Sequence, residues 1–221
     1  MEQRAHFTEK LEELKMLVLR MAAMCERAVR NSLKAYFETD AVLAEEIIEA
    51  DNDINELEDQ IDKLVLEMLA LGQPMAGDLR TVLGSGRIII NLERLGDEAV
   101  NMAHRALFLS TRPPLPHNEH MEQLADTVTR MLSMALKAFV DRDVKLAEQV
   151  CNMDNLADEL YIKLLKEYIS GMVTETRVVE RGVHAILAIR HLERIGDLST
   201  NVSESVIFIV QGESVKHRCK A

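Results

Sequence analysis

The most informative residues of this sequence form a ten-residue motif that occurs twice. The pattern Leu-Glu-Arg-(Leu/Ile)-Gly-Asp-x-x-x-Asn spans Leu92–Asn101 and again Leu192–Asn201. In a helix, residues four apart share a face, so each copy places its Glu, Asp and Asn in one column of oxygen-bearing side chains. Neighbouring carboxylates repel each other, and such oxygen ligands suit hard divalent cations or iron. Each copy therefore predicts a metal site.

A helical wheel places the first pair of carboxylates on an apolar face. At about 100° per residue, Asp97 lies only about 40° from Glu93. Because an unpaired buried carboxylate is costly, a positive partner is expected there. The side chains within about 60° of Glu93 are Val82, Gly86, Ile89, Ile90, Gly96 and Val100, whereas the side predicted to face solvent holds Arg87, Asn91, Arg94, Glu98 and Arg105. In the second copy, Glu193 and Asp197 lie among apolar residues less cleanly, with Arg190 beside them.

The middle helix of each half adds further oxygen ligands. In the first half Asp51, Asn55, Glu58 and Asp62 form one stripe, and in the second half Asp154 and Asp158 do so. Antiparallel packing would bring these stripes beside the carboxylate pairs of the third helices. The opposing hypothesis is that Arg or Lys from a neighbouring helix neutralises the acids and that no metal binds.

The sequence consists of two related halves separated by a proline-rich linker at 111–116, which predicts domains 1–110 and 117–221. Matching residues lie 103 positions apart in the middle helices and 100 apart in the motif, which indicates internal duplication. Asp40 and Asp143 are predicted N-caps, and Gly72 and Gly171 are predicted helix ends. Each half is expected to form an up-down-up bundle, an all-α fold of two tandem pseudo-symmetric three-helix bundles. The predicted helices are Phe7–Phe37, Ala41–Leu71, Asp78–Leu109, Glu119–Val140, Asp143–Ile169 and Thr174–Val210.

Composition excludes several classes of function. A net charge of −11 and an aromatic content of 4% argue against nucleic-acid binding. No uncharged apolar run approaches the roughly 18 residues of a membrane-spanning helix, and the N-terminus lacks a signal-peptide pattern. A cytoplasmic protein without direct membrane insertion is therefore expected.

The doubled Glu-Arg-(Leu/Ile)-Gly-Asp-x-x-x-Asn motif, together with the pattern Asp154-Asn-Leu-Ala-Asp158, resembles the PhoU family of phosphate transport regulators. The resemblance spans about residues 7 to 210 and implies a metal-binding protein that often dimerises, with iron or zinc as the typical metal; magnesium, manganese or calcium would also suit the ligands. One departure is Asn55, which stands where the family usually has a second acid and makes the first half the poorer ligand set. The ligands implied are Asp51, Asn55, Glu93, Asp97 and Asn101 in the first half and Asp154, Asp158, Glu193, Asp197 and Asn201 in the second.

The same resemblance implies a regulatory role and no catalysis. Such proteins restrain phosphate uptake and the phosphate-starvation response by linking the ATPase subunit of the phosphate ABC transporter to a sensor histidine kinase. Two alternatives come from other classes: a metal-free helical adaptor and a carboxylate-bridged metalloenzyme. The enzyme hypothesis is weakened because ferritin-like sites use Glu-x-x-His, and none of the seven histidines has Glu three residues before it.

Overall fold

The computed structural model describes residues 2–72 and 74–213, and within them the protein is almost entirely helical. The predicted termini of the two halves, residue 1 and residues 214–221, lie outside the described residues. None of the described helices is long and apolar enough to cross a membrane. The helices are α1 (Glu2–Glu38), α2 (Ala41–Leu71), α3 (Ala76–Ser110), α4 (Glu119–Asp141), α5 (Val144–Thr174) and α6 (Val179–Gln211), with a short 3-10 helix, Thr176–Val178, before α6.

Side-chain caps fix the start of the middle helices. The carboxylate of Asp40 accepts a hydrogen bond from the backbone N–H of Leu43 at 3.0 Å. Asp143 accepts one from Leu146 at 3.1 Å, so both predicted N-caps are confirmed. Capping satisfies backbone N–H groups that have no partner within the helix.

The ends of the middle helices differ between the halves. Gly72 follows the last residue of α2 and donates its N–H to the carbonyl of Met68, as predicted. The prediction for Gly171 is wrong, because α5 continues to Thr174. A glycine weakens a helix interior by about 1 kcal/mol but does not forbid it. The carbonyl of Gly171 instead accepts the final hydrogen bond, from Glu175 at 2.9 Å.

Helices α1–α3 form one three-helix bundle and α4–α6 form the second, which confirms the predicted fold class. The bundles join mainly where α3 packs along α6, and α1 touches α4 beside this contact. Here Arg30 donates to the hydroxyl of Ser133 at 3.0 Å, and these two residues occupy equivalent positions 103 residues apart. Among the described helices, α2 and α5 contact only members of their own bundle, so they form the two outer faces.

One continuous apolar core runs through both bundles and is built largely from Leu, Ile, Val, Met and Ala. Helix α3 packs against α1, α2 and α6, and α6 packs against α4, α5 and α3. The two motif-bearing helices are therefore central, and each faces its own middle helix on one side and the other bundle on another. This position brings the motif acids beside the acids of the middle helices.

Candidate functional site

The first-half acids meet where α2 crosses α3 at Gly96. A Cβ atom at Gly96 would lie 3.2 Å from Oδ1 of Asp51 and 3.2 Å from Cδ1 of Ile54, so the missing side chain permits this close approach. The other carboxylate oxygen of Asp51 accepts a hydrogen bond from Nδ2 of Asn55 at 3.1 Å. Asn55 therefore orients Asp51 by a hydrogen bond along the same helix face.

The carboxylates of this crossing repel one another. The pKa of Glu93 is raised to about 6, mainly by burial and then by the negative charges of Asp97 and Glu58. The positive charge of Arg94 lowers it by a smaller amount. Burial and the charge of Asp97 also raise the pKa of Asp51, although its hydrogen bond from Asn55 acts in the opposite direction. We call Asp51, Asn55, Glu58, Glu93 and Asp97 the first-half cluster. Its geometry places negative charge from two helices together, an arrangement that a cation would stabilise.

Glu58 was recognised in the sequence only as part of the α2 stripe, yet it is coupled to α3. Its pKa is raised by burial, by its neighbours Asp59 and Asp62, and by Asp97 across the helix pair. It lies seven residues after Asp51, two helical turns along the same face. Glu58 therefore belongs with Asp51 among the α2 groups that face the motif acids.

Cys25 of α1 also faces this crossing, and sequence reasoning missed it. Its fully buried thiol donates to the carbonyl of Leu92 at 3.1 Å, and burial is the main cause that raises its pKa, followed by the charge of Asp51 and, more weakly, Glu93. No spacing signal links a residue of α1 to the motif, so only tertiary packing reveals the contact. A cavity of about 180 Å³ opens beside it between α1, α2 and α3, and its lining includes Arg27 and Asp51.

The ten predicted ligands are not all equally enclosed. Among the described residues, no group of three or more His, Cys, Asp or Glu side chains converges closely enough to hold a metal ion. The donors suit a hard cation by their chemistry, but their side chains would have to close around it. In the first half Asp51, Glu93 and Asn101 are half-buried and Asn55 and Asp97 exposed; in the second half Asp154 is buried, Glu193 and Asp197 half-buried, and Asp158 and Asn201 exposed.

The second half differs from the first at the equivalent crossing. Asp154 is only 4% exposed, and its Oδ1 accepts a hydrogen bond from the hydroxyl of Thr200 at 3.4 Å. The same hydroxyl lies 3.2 Å from the carbonyl of Gly196. The first half has Val100 where the second has Thr200, and Cys25 where the second has Val128. The two halves therefore present different polar environments to the same motif.

The predicted solvent-facing side of α3 packs in part against α6. Arg87 and Arg94 are exposed as predicted, but Asn91 and Arg105 are half-buried, and the prediction is wrong for Glu98, which is buried. Glu98 is 6% exposed, and its carboxylate lies 2.7 Å from Nδ1 of His191 and 3.1 Å from Nη1 of Arg194. A helical wheel separates the apolar side of a helix from its charged side, but it does not show whether another helix covers the charged side. Buried charges are tolerated when they are paired, as Glu98 is here.

Other side chains of the same face also contact the second bundle. Arg87 lies over the ring of Phe208, with its guanidinium carbon 4.1 Å from the ring centroid. Nη1 of Arg105 lies 3.3 Å from Nδ1 of His184, whose ring stacks on Phe108. Cation–π and stacked contacts of this kind hold polar residues in a mainly apolar interface. The contact between the halves is therefore mainly apolar, with specific polar contacts at Arg87, Glu98 and Arg105.

The family model described as the PhoU domain matches this chain twice, at residues 18–106 and 121–206. The chain belongs to the PhoU family. The first match includes the first-half cluster, and the second includes Asp154, Glu193 and Asp197. Both copies of the motif thus lie within PhoU domains.

Full-length relatives and solved structures agree with this membership. The chain is 37% identical over 210 residues to the phosphate-specific transport system accessory protein PhoU homologue of Aquifex aeolicus (strain VF5), with 95% of each chain covered. It is also 37% identical to the homologue of Pseudomonas putida, covering 96% of this chain and 83% of that protein. The crystal structure of PhoU from Pseudomonas aeruginosa superposes with a TM-score of 0.91 at 35% identity, covering 94% of this chain and all of that one. The phosphate transport system regulatory protein PhoU from Streptococcus pneumoniae gives a TM-score of 0.87 at 29% identity, covering 95% of this chain and 99% of that one.

Proposed function

We propose that this protein is a cytoplasmic negative regulator of phosphate uptake and of the phosphate-starvation response. Its proposed partners are the ATPase subunit of the phosphate ABC transporter and a sensor histidine kinase, and its proposed assembly is a homodimer. The observation that carries the proposal is membership of the PhoU family over both halves of the chain, with relatives named as accessory or regulatory proteins of phosphate transport. The proposed role is that of a regulator and not of an enzyme.

Inactivating the gene is expected to raise expression of phosphate-starvation genes in phosphate-rich medium, because the restraint on the kinase is lost. Transcript levels of phosphate-responsive genes measure this, and a plasmid copy of the wild-type gene should restore repression. Unchanged expression in the deletion strain would contradict the proposed role.

We further propose that the motif acids bind metal ions, iron or zinc by resemblance to the family. The support is electrostatic: Glu93, Asp51 and Glu58 each have a raised pKa, in part because Asp97 lies near all three. A cation between α2 and α3 would relieve this repulsion, and carboxylate and amide oxygens would supply its ligands. The second-half ligands Asp154, Asp158, Glu193, Asp197 and Asn201 are proposed because they occupy positions equivalent to the first-half ligands and match the family resemblance.

Protein purified without chelator is expected to contain metal. The combined Glu93→Ala and Asp97→Ala substitutions are expected to remove most of the metal that the first-half cluster binds. Elemental analysis by mass spectrometry measures the content. Since the pKa of Glu93 is about 6, protons compete with the cation for this carboxylate. The affinity of the first-half cluster for the metal ion should therefore fall as the pH drops through about 6. Bound metal should also raise the melting temperature, because it stabilises the native state by mass action.

A matched control is available on α2. Glu45 and Glu49 are both exposed acids four residues apart, so Glu45→Ala with Glu49→Ala removes the same charge without touching the first-half cluster. Metal content should then be unchanged. Equal loss in both double variants would indicate adventitious surface binding. A metal content near zero in the wild-type protein would indicate that the protein is a metal-free helical adaptor.

A further inference from the structure

A cavity of about 300 Å³ lies between the two bundles, where four helices approach one another. Its walls come from the N-terminal parts of α1 and α3 and from the C-terminal ends of α4 and α6. Much of the lining is apolar, including Phe139, Val206 and Ile209. None of the described residues that line it belongs to the first-half cluster. Its volume is at the lower end of the range for small-molecule sites.

The duplication produces a second cavity, of about 250 Å³, beside the other ends of α1 and α4. Part of its wall is the proline-rich linker, so we call it the linker cavity. Equivalent apolar positions line both cavities, at an offset of 103 residues in the first helix of each half and 100 residues in the third. These pairs are Tyr36 and Phe139, Phe37 and Val140, and Leu109 and Ile209. The two cavities are therefore copies of one structural feature.

The hydrogen-bond donors of the two cavities differ. The cavity at the start of α1 has three donors that are changed at the equivalent positions of the other half. Asn118, Thr39 and Ala185 stand at the positions of Lys15, Arg142 and Ser85, respectively. One acid, Glu12, also lines this cavity, so two positive charges face one negative charge. We call it the basic cavity, because among the described lining residues only this copy has a lysine and an arginine.

The two cations of the basic cavity are available to a ligand. Within residues 2–72 and 74–213, neither Lys15 nor Arg142 forms an ion pair with a carboxylate, although the protein has a net charge of −11. Arg142 donates to the hydroxyl of Thr81 at 3.4 Å, and that hydroxyl lies 3.0 Å from the carbonyl of Gly77. Thr81 thus orients the guanidinium across the gap between the bundles, and the remaining N–H groups of Arg142 are left for other acceptors.

Ser85 supplies an unused donor on the inner wall of the basic cavity. The residue is only 1% exposed, and its hydroxyl makes no hydrogen bond to any residue that the structure describes. A buried hydroxyl without a partner is costly, so a group that enters the cavity and accepts its hydrogen bond is stabilised. The equivalent Ala185 has no such requirement.

We propose that the basic cavity binds a small organic anion that carries a phosphate or carboxylate group on an apolar body. The oxyanion accepts hydrogen bonds from Lys15, Arg142 and Ser85, two of which are strengthened by charge. The apolar body packs against Phe139 and Ile209, which leave little else for it to contact but hydrocarbon. This site goes beyond the proposed regulatory role and requires neither the metal ions nor the signalling partners.

Isothermal titration calorimetry of the full-length protein, in phosphate-free buffer with a chelator, tests the proposal. Phenyl phosphate and benzoate probe the two oxyanions, and benzyl alcohol presents the same ring without a charge. At least one anion should bind about tenfold or more tightly than benzyl alcohol, and its affinity should fall as salt is added. Inorganic phosphate should bind more weakly than phenyl phosphate, because it has no apolar body to bury.

Substitutions identify the cavity. Lys15→Gln and Arg142→Gln should each weaken anion binding by about tenfold, and Ser85→Ala by about fivefold. The combined Lys63→Gln and Lys163→Gln substitutions are the matched control for the Lys15→Gln, Arg142→Gln double variant, because they remove two exposed cations outside both cavities. Arg142 follows α4 at a φ of 53°, which glycine adopts without strain. Arg142→Gly should therefore weaken binding while raising the melting temperature by about 3 °C, which separates loss of the site from unfolding.

Four results would overturn the proposal. They are no binding of either anion at millimolar concentration, equal affinity for benzyl alcohol and both anions, binding that survives the Lys15→Gln, Arg142→Gln double variant, and equal loss of binding in the control double variant. Anion binding that is seen only without chelator would assign the anion to a bound metal ion and would also contradict the basic cavity. None of these results bears on the regulatory function, which the deletion strain tests separately.

Discussion

Replacing His191 by alanine is expected to lower the free energy of unfolding by about 2 kcal/mol. The substitution removes the closest partner of Glu98, whose side chain is only 7% exposed, and leaves a small void where the imidazole is 15% exposed. Removing a hydrogen-bond partner of a buried carboxylate is costly because that carboxylate is poorly solvated, and Arg194, 3.1 Å from Glu98, offsets only part of the loss. Denaturant unfolding followed by circular dichroism measures the change. The melting temperature should fall by roughly 6 °C for a chain of this size.

The contribution of the hydrogen bond between His191 and Glu98 can be separated from that of simple packing by a second substitution. The residue equivalent to Glu98 in the second half is Leu198, which is buried to a similar degree. Glu98→Leu should therefore cost about 1 kcal/mol or less, since an apolar side chain often replaces a buried ion pair well and Arg194 is exposed enough to regain water. In the Glu98→Leu background, His191→Ala should lose most of its effect. Equal effects of His191→Ala in both backgrounds would show that the imidazole acts only by filling space.

Replacing Gly84 by alanine is expected to lower the free energy of unfolding by about 2 kcal/mol. Its Cβ would lie 2.2 Å from Cγ1 and 2.6 Å from Cδ1 of Ile209, so α3 and α6 would have to separate or Ile209 would have to change rotamer. This strain exceeds the gain of about 1 kcal/mol that alanine brings to a helix. Thermal and denaturant unfolding provide the measurement.

Gly86, two residues further along α3, provides the control. A Cβ there would meet Cγ1 of Val65 at 3.6 Å, an ordinary contact. Gly86→Ala should therefore be neutral or stabilise the protein by up to about 1 kcal/mol. Combining Gly84→Ala with Ile209→Ala should cost less than the sum of the two single changes, because the smaller side chain makes room for the new methyl group. A Gly84→Ala variant as stable as the wild type would mean that the helix pair shifts without cost.

Much of the local structure could be predicted because its signals are local. Asp40 and Asp143 cap their helices as expected, since a carboxylate three residues before a free N–H needs no tertiary context. The duplication and the three-helix units follow from repeated residues and short connections. The end of α5 could not be predicted from Gly171, because the cost of a glycine in a helix is small enough for packing of the following turn to outweigh it.

The candidate site was predicted in part. The motif showed that Glu93 and Asp97 share a face, and the structure places Asp51 and Glu58 near them. Asp97 is nevertheless exposed, because the apolar face of α3 is shared among three neighbouring helices and its edge reaches solvent. Cys25 could not be found from sequence, since it lies 67 residues before Leu92 and shares no pattern with the motif. The metal ligands themselves stay a prediction.

The sequence by itself determined the helices, their duplication and the family, because periodicity, caps and motifs act over a few residues. Only the tertiary structure decided which face of α3 meets the other bundle. A helical wheel predicts that Glu98 is exposed to solvent. In the structure Glu98 is instead buried against His191, which lies 93 residues later in the chain. A wheel describes one isolated helix, whereas burial depends on every helix packed against it. Pairing with His191 and Arg194 offsets the desolvation of Glu98, and that pairing exists only once the two halves have docked.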